Sequence, residues 1–163
     1  MQPQLLPIKL LPAGALLRAV LLTTVLLASL SPNLAAAIEY RAVAVPKAIL
    51  YDAPSVQGKK LYVIGQGYPV EVIVNLGDWI KVRDNQGGLS WIDSKQLSTA
   101  RTLLVTQSQV ELRQAADAAS TLLARLEKDV VVDYLEPPKN GWVKVKHKDG
   151  LTGYIQSFSV WGL

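Results

Sequence analysis

The sequence has no cysteine and a single histidine, His147. The missing cysteine excludes disulfides, a thiol nucleophile, Cys-ligated zinc and a lipidated cysteine anchor. One histidine excludes a self-contained multi-histidine metal centre, so no metal and no cofactor is expected. Acidic residues are missing from the first 37 positions, whose only charged side chains are Lys9 and Arg18. The basicity of the chain, 17 Lys+Arg against 13 Asp+Glu, is therefore partly a property of that segment. Without Lys9 and Arg18, 15 basic residues face 13 acidic ones, a net charge of +2. Such a balance does not advertise a polyanion partner, and no nucleic-acid role is expected. At 163 residues the chain has room for one ordinary domain or two small ones.

The N-terminal segment reads as an address. A charge-free apolar run from Ala19 to Leu30 follows the basic region, Pro32-Asn33 breaks any helix, and Ala35-Ala36-Ala37 offers a small-x-small site. A signal peptide over 1–37, cleaved after Ala37, is the expectation. The rival is an uncleaved anchor, because Ala19 to Ala37 carries no charge and approaches the ~20 residues that span a bilayer. The helix breakers and the alanine tail favour cleavage. Either way the rest of the chain crosses a membrane, with the periplasm as the expected location and an extracellular or membrane-anchored state as alternatives. Membrane contact is expected only through an uncleaved leader.

The remainder repeats itself. Trp79-Ile-Lys-Val-Arg-Asp-Asn-Gln-Gly-Gly-Leu-Ser-Trp-Ile92 lies over Trp142-Val-Lys-Val-Lys-His-Lys-Asp-Gly-Leu-Thr-Gly-Tyr-Ile155 at an offset of 63, and Ala53/Ala115 and Val70/Val132 align at 62. The second copy gains its extra residue in the turn Glu136-Pro-Pro-Lys-Asn-Gly141. Each copy reads as short strands. Val70–Val74 and Val130–Tyr134 are β-branched runs, Gly77-Asp78 and Asn140-Gly141 are turns before a Trp, and further turns fall at 85–88 and 148–150. Such spacing predicts small all-β barrels. Residues 114–128 carry high helix propensity. Their counterpart, 52–66, contains Pro54 and Gly58 and then the strand-like Leu61-Tyr-Val-Ile64. The repeat therefore predicts a loop over 114–120, with a helical turn allowed near 117–120, and a strand over 121–126.

On these motifs each copy resembles a bacterial SH3 domain. The matching stretches are Leu50-Tyr-Asp-Ala-Pro-Ser55, Asp78-Trp-Ile-Lys-Val82 and Ser90-Trp-Ile92 in the first copy. In the second they are Leu112-Arg-Gln-Ala-Ala116, Gly141-Trp-Val-Lys-Val145 and Gly153-Tyr-Ile155. The second copy lacks the proline of the early loop, and the first has Ser90 where glycine usually precedes the aromatic. The resemblance implies two tandem SH3-like barrels, placed here at 38–98 and 99–163. It also implies a role in the cell envelope, with peptidoglycan and its stem peptide as the expected ligand. The second hypothesis is an envelope protein-interaction or assembly factor that ignores the wall.

Strand alternation sorts the side chains. Ile80 and Val82 share a core face, which puts Trp79, Lys81 and Arg83 on the other; Val143 and Val145 similarly oppose Trp142, Lys144 and Lys146. A Trp at a strand edge offers an apolar face and an N–H donor to a peptide or sugar. The competing reading packs each Trp under its neighbouring loop, beneath lysine stems. Trp91 and Tyr154 are further ligand candidates, although an aromatic filling the barrel interior is the simpler expectation. Neither copy has the proline that a polyproline groove would want after its aromatic-Ile pair. Lys144, Lys146 and Lys148 alternate onto one face with His147 opposite, either as an anion site or as an edge that discourages strand pairing. Phe158 and Trp161 are expected to seal the second barrel.

No active site is legible. Relatives that cut the wall use a Cys-based peptidase domain, for which there is neither a Cys nor room. A serine triad would need His147, whose neighbours Lys146 and Lys148 supply no orienting acid. The expectation is a non-enzyme. Two copies serve either to bury more surface by stacking, since ~60 residues make a marginal core, or to place two weak sites in tandem. N-terminal sequencing of the exported protein is expected to begin at Ile38; a longer N-terminus would support the anchor.

Overall fold

The computed structural model describes residues 38–163; the leader and its cleavage after Ala37 lie outside the described residues. No helix among them is long and apolar enough to cross a membrane. Seven strands make the first copy: β1 (Tyr40–Val43), β2 (Lys47–Tyr51), β3 (Lys60–Gly65), β4 (Pro69–Asn75), β5 (Trp79–Arg83), β6 (Leu89–Asp93) and β7 (Leu97–Ser98). The second repeats them as β8 (Thr102–Val105), β9 (Gln109–Arg113), β10 (Leu122–Glu127), β11 (Val131–Lys139), β12 (Trp142–Lys146), β13 (Thr152–Gln156) and β14 (Val160–Trp161). A single 3-10 turn precedes the last strand of each, at Ser94–Gln96 and Ser157–Ser159. Strand order is β3-β2-β6-β5-β4-β1-β7 in one sheet and β10-β9-β13-β12-β11-β8-β14 in the other, so the topology is the same twice. The fold is all-β, two tandem SH3-like units, as the repeat predicts.

Segment 114–120 is a chain of turns and 122–127 is a strand. The helix propensity of this stretch loses for a packing reason. As a strand it pairs with β9 and inserts Leu126 into the core, through a bulge between Leu122 and Ala124. The loop is held from both ends: Arg113 Nη1 donates to the Ser120 carbonyl (2.6 Å), and Ser120 Oγ donates to the Asp117 carbonyl (2.7 Å). The turn before the second Trp is a two-residue hairpin. Asn140 (φ 52°) and Gly141 (φ 81°) are both left-handed and join the paired Lys139 and Trp142. That is the conformation an Asn-Gly pair favours. The equivalent turn of the first copy is wider, with the Leu76 N–H bonded to the Trp79 carbonyl (2.9 Å).

Alternation builds both cores. Ile80, Val82 and Ile92 are fully buried in the first, with Leu50 and Val70; Val143, Val145 and Ile155 repeat them in the second, with Leu112 and Val132. Seven buried residues line the smaller core and nine the larger. Neither is generous for a free-standing domain.

The two barrels meet at a packed seam. Arg101, from the linker, lays its guanidinium 5.6 Å from the ring of Tyr40 and 5.0 Å from that of Tyr134, one ring from each copy. Its Nη2 donates to the Gly162 carbonyl (2.8 Å). Thr102 Oγ1 donates to the Gly67 carbonyl of the first copy (2.6 Å), and Trp161 meets Tyr40 edge-on at 5.4 Å. Trp161 was expected to seal its own barrel; it closes the seam instead, because β14 lies beside β8 at the border with the first copy. Gly162 (φ 108°) is confined there, since a Cβ would fall 2.8 Å from the Thr102 carbonyl oxygen. Two buried donors, Arg101 Nε and Trp161 Nε1, have no hydrogen-bond partner. The cation–π contacts of Arg101, worth about 0.5–2 kcal/mol each, offset part of that cost. Burial first, and then the charge of Glu71, pushes the Tyr40 phenol above its ordinary value of 10.0. The unfolded chain therefore loses that proton first, and stability falls as pH rises past the ordinary tyrosine value.

The seam is expected to couple the two small cores into one cooperative unit. Wild-type protein is expected to unfold in urea in a single transition. Trp161→Ala is expected to cost about 2 kcal/mol, and Arg101→Ala combined with it to separate the transition in two. A double variant that still melts in one step with unchanged midpoint would show that the seam carries no coupling.

Candidate functional site

The candidate face is set by strand parity. With Ile80 and Val82 inward, Trp79, Lys81 and Arg83 stand on the outer side of β5, each half-buried. With Val143 and Val145 inward, Trp142 and Lys144 stand half-buried and Lys146 exposed on β12. The next strand supplies the aromatics. Lys81 pairs across the ladder with Trp91, and Lys144 with Tyr154. Direct pairing carries each ammonium over its ring, at 5.9 Å for Lys81–Trp91 and 6.0 Å for Lys144–Tyr154. Trp91 and Tyr154 therefore do not fill the barrels, contrary to the simpler expectation. The inward positions of β6 and β13 are Ser90, Ile92, Gly153 and Ile155. Since Ile92 and Ile155 occupy the cores, period-two geometry turns their neighbours outward.

Gly153 marks a close backbone approach in the second barrel. A Cβ there would sit 2.5 Å from the Arg113 carbonyl oxygen. The first copy tolerates Ser90 at this point, buried and with its hydroxyl unpaired.

The two copies then diverge around their tryptophans. Trp79 lies edge-on against Tyr51 (5.5 Å between ring centres), so one side of it is covered. The position equivalent to Tyr51 is Arg113, and the aromatic cover is absent. Trp142 borders two grooves. One, of about 430 Å³, is lined by Gln109, Glu111, Arg113, Trp142, Gln156 and Phe158. The other, of about 370 Å³, is lined by Glu136, Pro137, Asn140, Trp142, Lys144 and Tyr154. Phe158, 72% exposed, stands at the rim of the first rather than in the second core. The side chain that lies opposite Lys81 is Val74, whereas Lys144 faces Glu136 and bonds it at 2.6 Å. That hydrogen bond, and then the charge of Glu136, raises the Lys144 ammonium above its ordinary 10.5.

Trp79, Lys81 and Trp91 form one cluster, and Trp142, Lys144 and Tyr154 another. Arg83 is committed elsewhere: its Nη1 reaches both oxygens of Glu71 at 3.0 and 3.1 Å. Lys146 lies away from the Trp142 grooves, in a cleft at the seam with Lys148. His147 turns to Asp149 (3.2 Å) within the β12–β13 turn, so an acid does lie beside it, two residues on. Among the described residues no group of three potential ligands could hold a metal ion. Glu111 and Arg113, joined by an ion pair, and Glu136 were not foreseen as parts of the face. The only signal was their divergence from the repeat, where the first copy has Ile49, Tyr51 and Val74.

The bacterial SH3 domain family matches twice, at residues 44–99 and 106–162. The chain belongs to that family. No curated protein matches the sequence. Among solved structures it is similar to NlpC2 from Trichomonas vaginalis, at 15% identity, TM-score 0.35, 76% of this chain and 48% of that one. It is also similar to an NlpC/P60 family protein from Bacillus cereus, at 16% identity, TM-score 0.34, 76% of this chain and 56% of that one. The chain thus spans about half the length of these proteins.

The Lys144–Glu136 pair generates a titration test. Glu136→Gln is expected to bring the Lys144 ammonium back down toward 10.5, read from the pH dependence of its ε-carbon NMR shift. An unchanged titration would show that Glu136 does not hold Lys144 in solution.

Proposed function

We propose that this protein is an exported, non-catalytic binding protein of the cell envelope that recognises peptidoglycan through its stem peptide. The second copy is the principal platform. The observation that carries this reading is the placement of Trp142 between two grooves, with Lys144 and Tyr154 in one and Phe158 and Arg113 in the other. A groove with an apolar indole wall and a few convergent polar groups suits an extended chain that alternates apolar and ionised segments. Lys144, already paired with Glu136, offers its remaining donors to a carboxylate, and the tyrosine ring supports its stem. The first copy is the lesser site, because Tyr51 covers one side of Trp79 and Glu71 occupies Arg83. Membership of the bacterial SH3 family supports an envelope role. The absence of cysteine supports a binder over a thiol peptidase.

An envelope protein is the alternative partner, favoured by Tyr62 and Val63, both largely exposed on the sheet-edge strand β3. An unpaired edge carrying apolar side chains is suited to strand addition.

Co-sedimentation with purified sacculi separates the two. Wild type is expected to pellet, Trp142→Ala to bind about tenfold more weakly, and Trp79→Ala to lose less. Circular dichroism of each variant checks that it folds. If the wild type stays in the supernatant across salt and pH, the wall reading fails and the partner is a protein.

A further inference from the structure

The seam between the barrels holds a cleft of about 620 Å³ that the tryptophan grooves do not touch. Gly67 of the first copy lines it together with Thr102, Asp129, Asp133, Lys146 and Lys148 of the second. The first copy provides an internal control for these positions. There, Glu71 and Arg83 face each other across β4 and β5 and close into an ion pair. The aligned residues of the second copy, Asp133 and Lys146, face each other in the same register across β11 and β12. They form no ion pair; nor does any described side chain pair with Lys148 or Asp129. Asp is one methylene shorter than Glu, and the lysine ammonium is a shorter, single-point donor than the forked guanidinium, so the pair stays open. The neighbouring position diverges in the same sense. In the first copy the Tyr68 hydroxyl donates to Asn85 (2.6 Å), which closes that corner. In the second, the aligned residues are Val130 and Lys148, an aliphatic and a free ammonium.

The four positions that pair with one another in the first copy become Val130, Asp133, Lys146 and Lys148 in the second, where the three charged side chains form no ion pair, and the seam places them with Asp129 in a cleft that only a packed pair can form. We propose that this cleft is a binding site for a zwitterionic, amino-acid-like or short-peptide ligand. Its carboxylates would bind Lys146 and Lys148, and its ammonium groups Asp129 and Asp133. Two cations and two anions with no net charge select against ligands of one sign. Either single-sign ligand would gain two attractions and meet two repulsions. Gly67, held to Thr102 across the seam, completes the cleft, so binding depends on the two barrels being docked. This site goes beyond the reading of Trp142 and does not require it.

The probe is the dipeptide Lys-Glu, which carries two ammonium groups and two carboxylates, titrated into isotope-labelled protein up to about 10 mM. Glutarate and cadaverine are the single-sign controls. Saturable NMR shifts of the Gly67, Thr102 and Val131 amides are expected with the dipeptide, and none with the controls. The decisive variant is Asp133→Glu with Lys146→Arg, which installs the first copy's pair and keeps every charge. It is expected to weaken binding at the seam amides about tenfold or more. Shifts that do not saturate overturn the proposal. Equal response to a single-sign control, or retention of affinity in the Asp133→Glu/Lys146→Arg variant, also overturns it. Sacculus pelleting by the same double variant reads the Trp142 site separately, so the two conclusions fail independently.

Discussion

Arg101 packs its guanidinium against two tyrosine rings, one from each barrel, and much of the molecule's arrangement follows from that contact. A guanidinium is planar and weakly hydrated, so it can lie against rings where an ammonium would demand water. By doing so it draws Tyr40 of the first barrel and Tyr134 of the second onto one residue of the linker. Once these rings are fixed, Thr102 reaches the Gly67 carbonyl, Trp161 meets Tyr40, and Gly162 is held too close to Thr102 for any side chain. Two cores of modest size become one body. The relative orientation of the two tryptophan faces is then a property of packing and not of linker length.

The copies diverge in how their outward-facing groups are paired. In the first, outward-facing groups satisfy one another: Tyr51 covers Trp79, Glu71 holds Arg83, and Tyr68 bonds Asn85. In the second, Arg113 replaces the covering tyrosine, and Asp133, Lys146 and Lys148 stay open. Internally satisfied surfaces rigidify a module; unsatisfied ones are available to a ligand. The same backbone topology supports both because the core positions, the period-two alternation and the order of strands are common to the two copies.

Much of this was legible in the sequence. The offset of 62 to 63 located equivalent strands, and it overruled helix propensity at 122–127, where Leu126 enters the core. Alternation placed Ile80, Val82, Val143 and Val145 inside. It would also have placed Trp91 and Tyr154 outside had it been carried into β6 and β13, where Ile92 and Ile155 are the inward residues. The seam was not legible. Arg101 aligns with Glu39 and Trp161 with Ser98, so the repeat offered no pattern at the residues that join its units. Contacts between copies are made where the copies must differ, and self-similarity is silent there. The same holds for Glu136 opposite Lys144, which lies on β11 just before the turn, in the stretch where the alignment shifts by one.

Trp161 and Tyr40 lie near opposite ends of the described chain, and this sets an order of assembly. Within each barrel the hairpins β2–β3, β4–β5 and β5–β6 and their counterparts close locally, whereas β1 waits for β4 and β7, and β8 for β11 and β14. The first barrel can complete its sheet while the second is still being delivered. The ring of Tyr40, by contrast, waits for the last strand before it is covered. Until β14 docks, Tyr40 presents an aromatic face on an otherwise finished first barrel, an apolar patch that the second barrel removes as it closes.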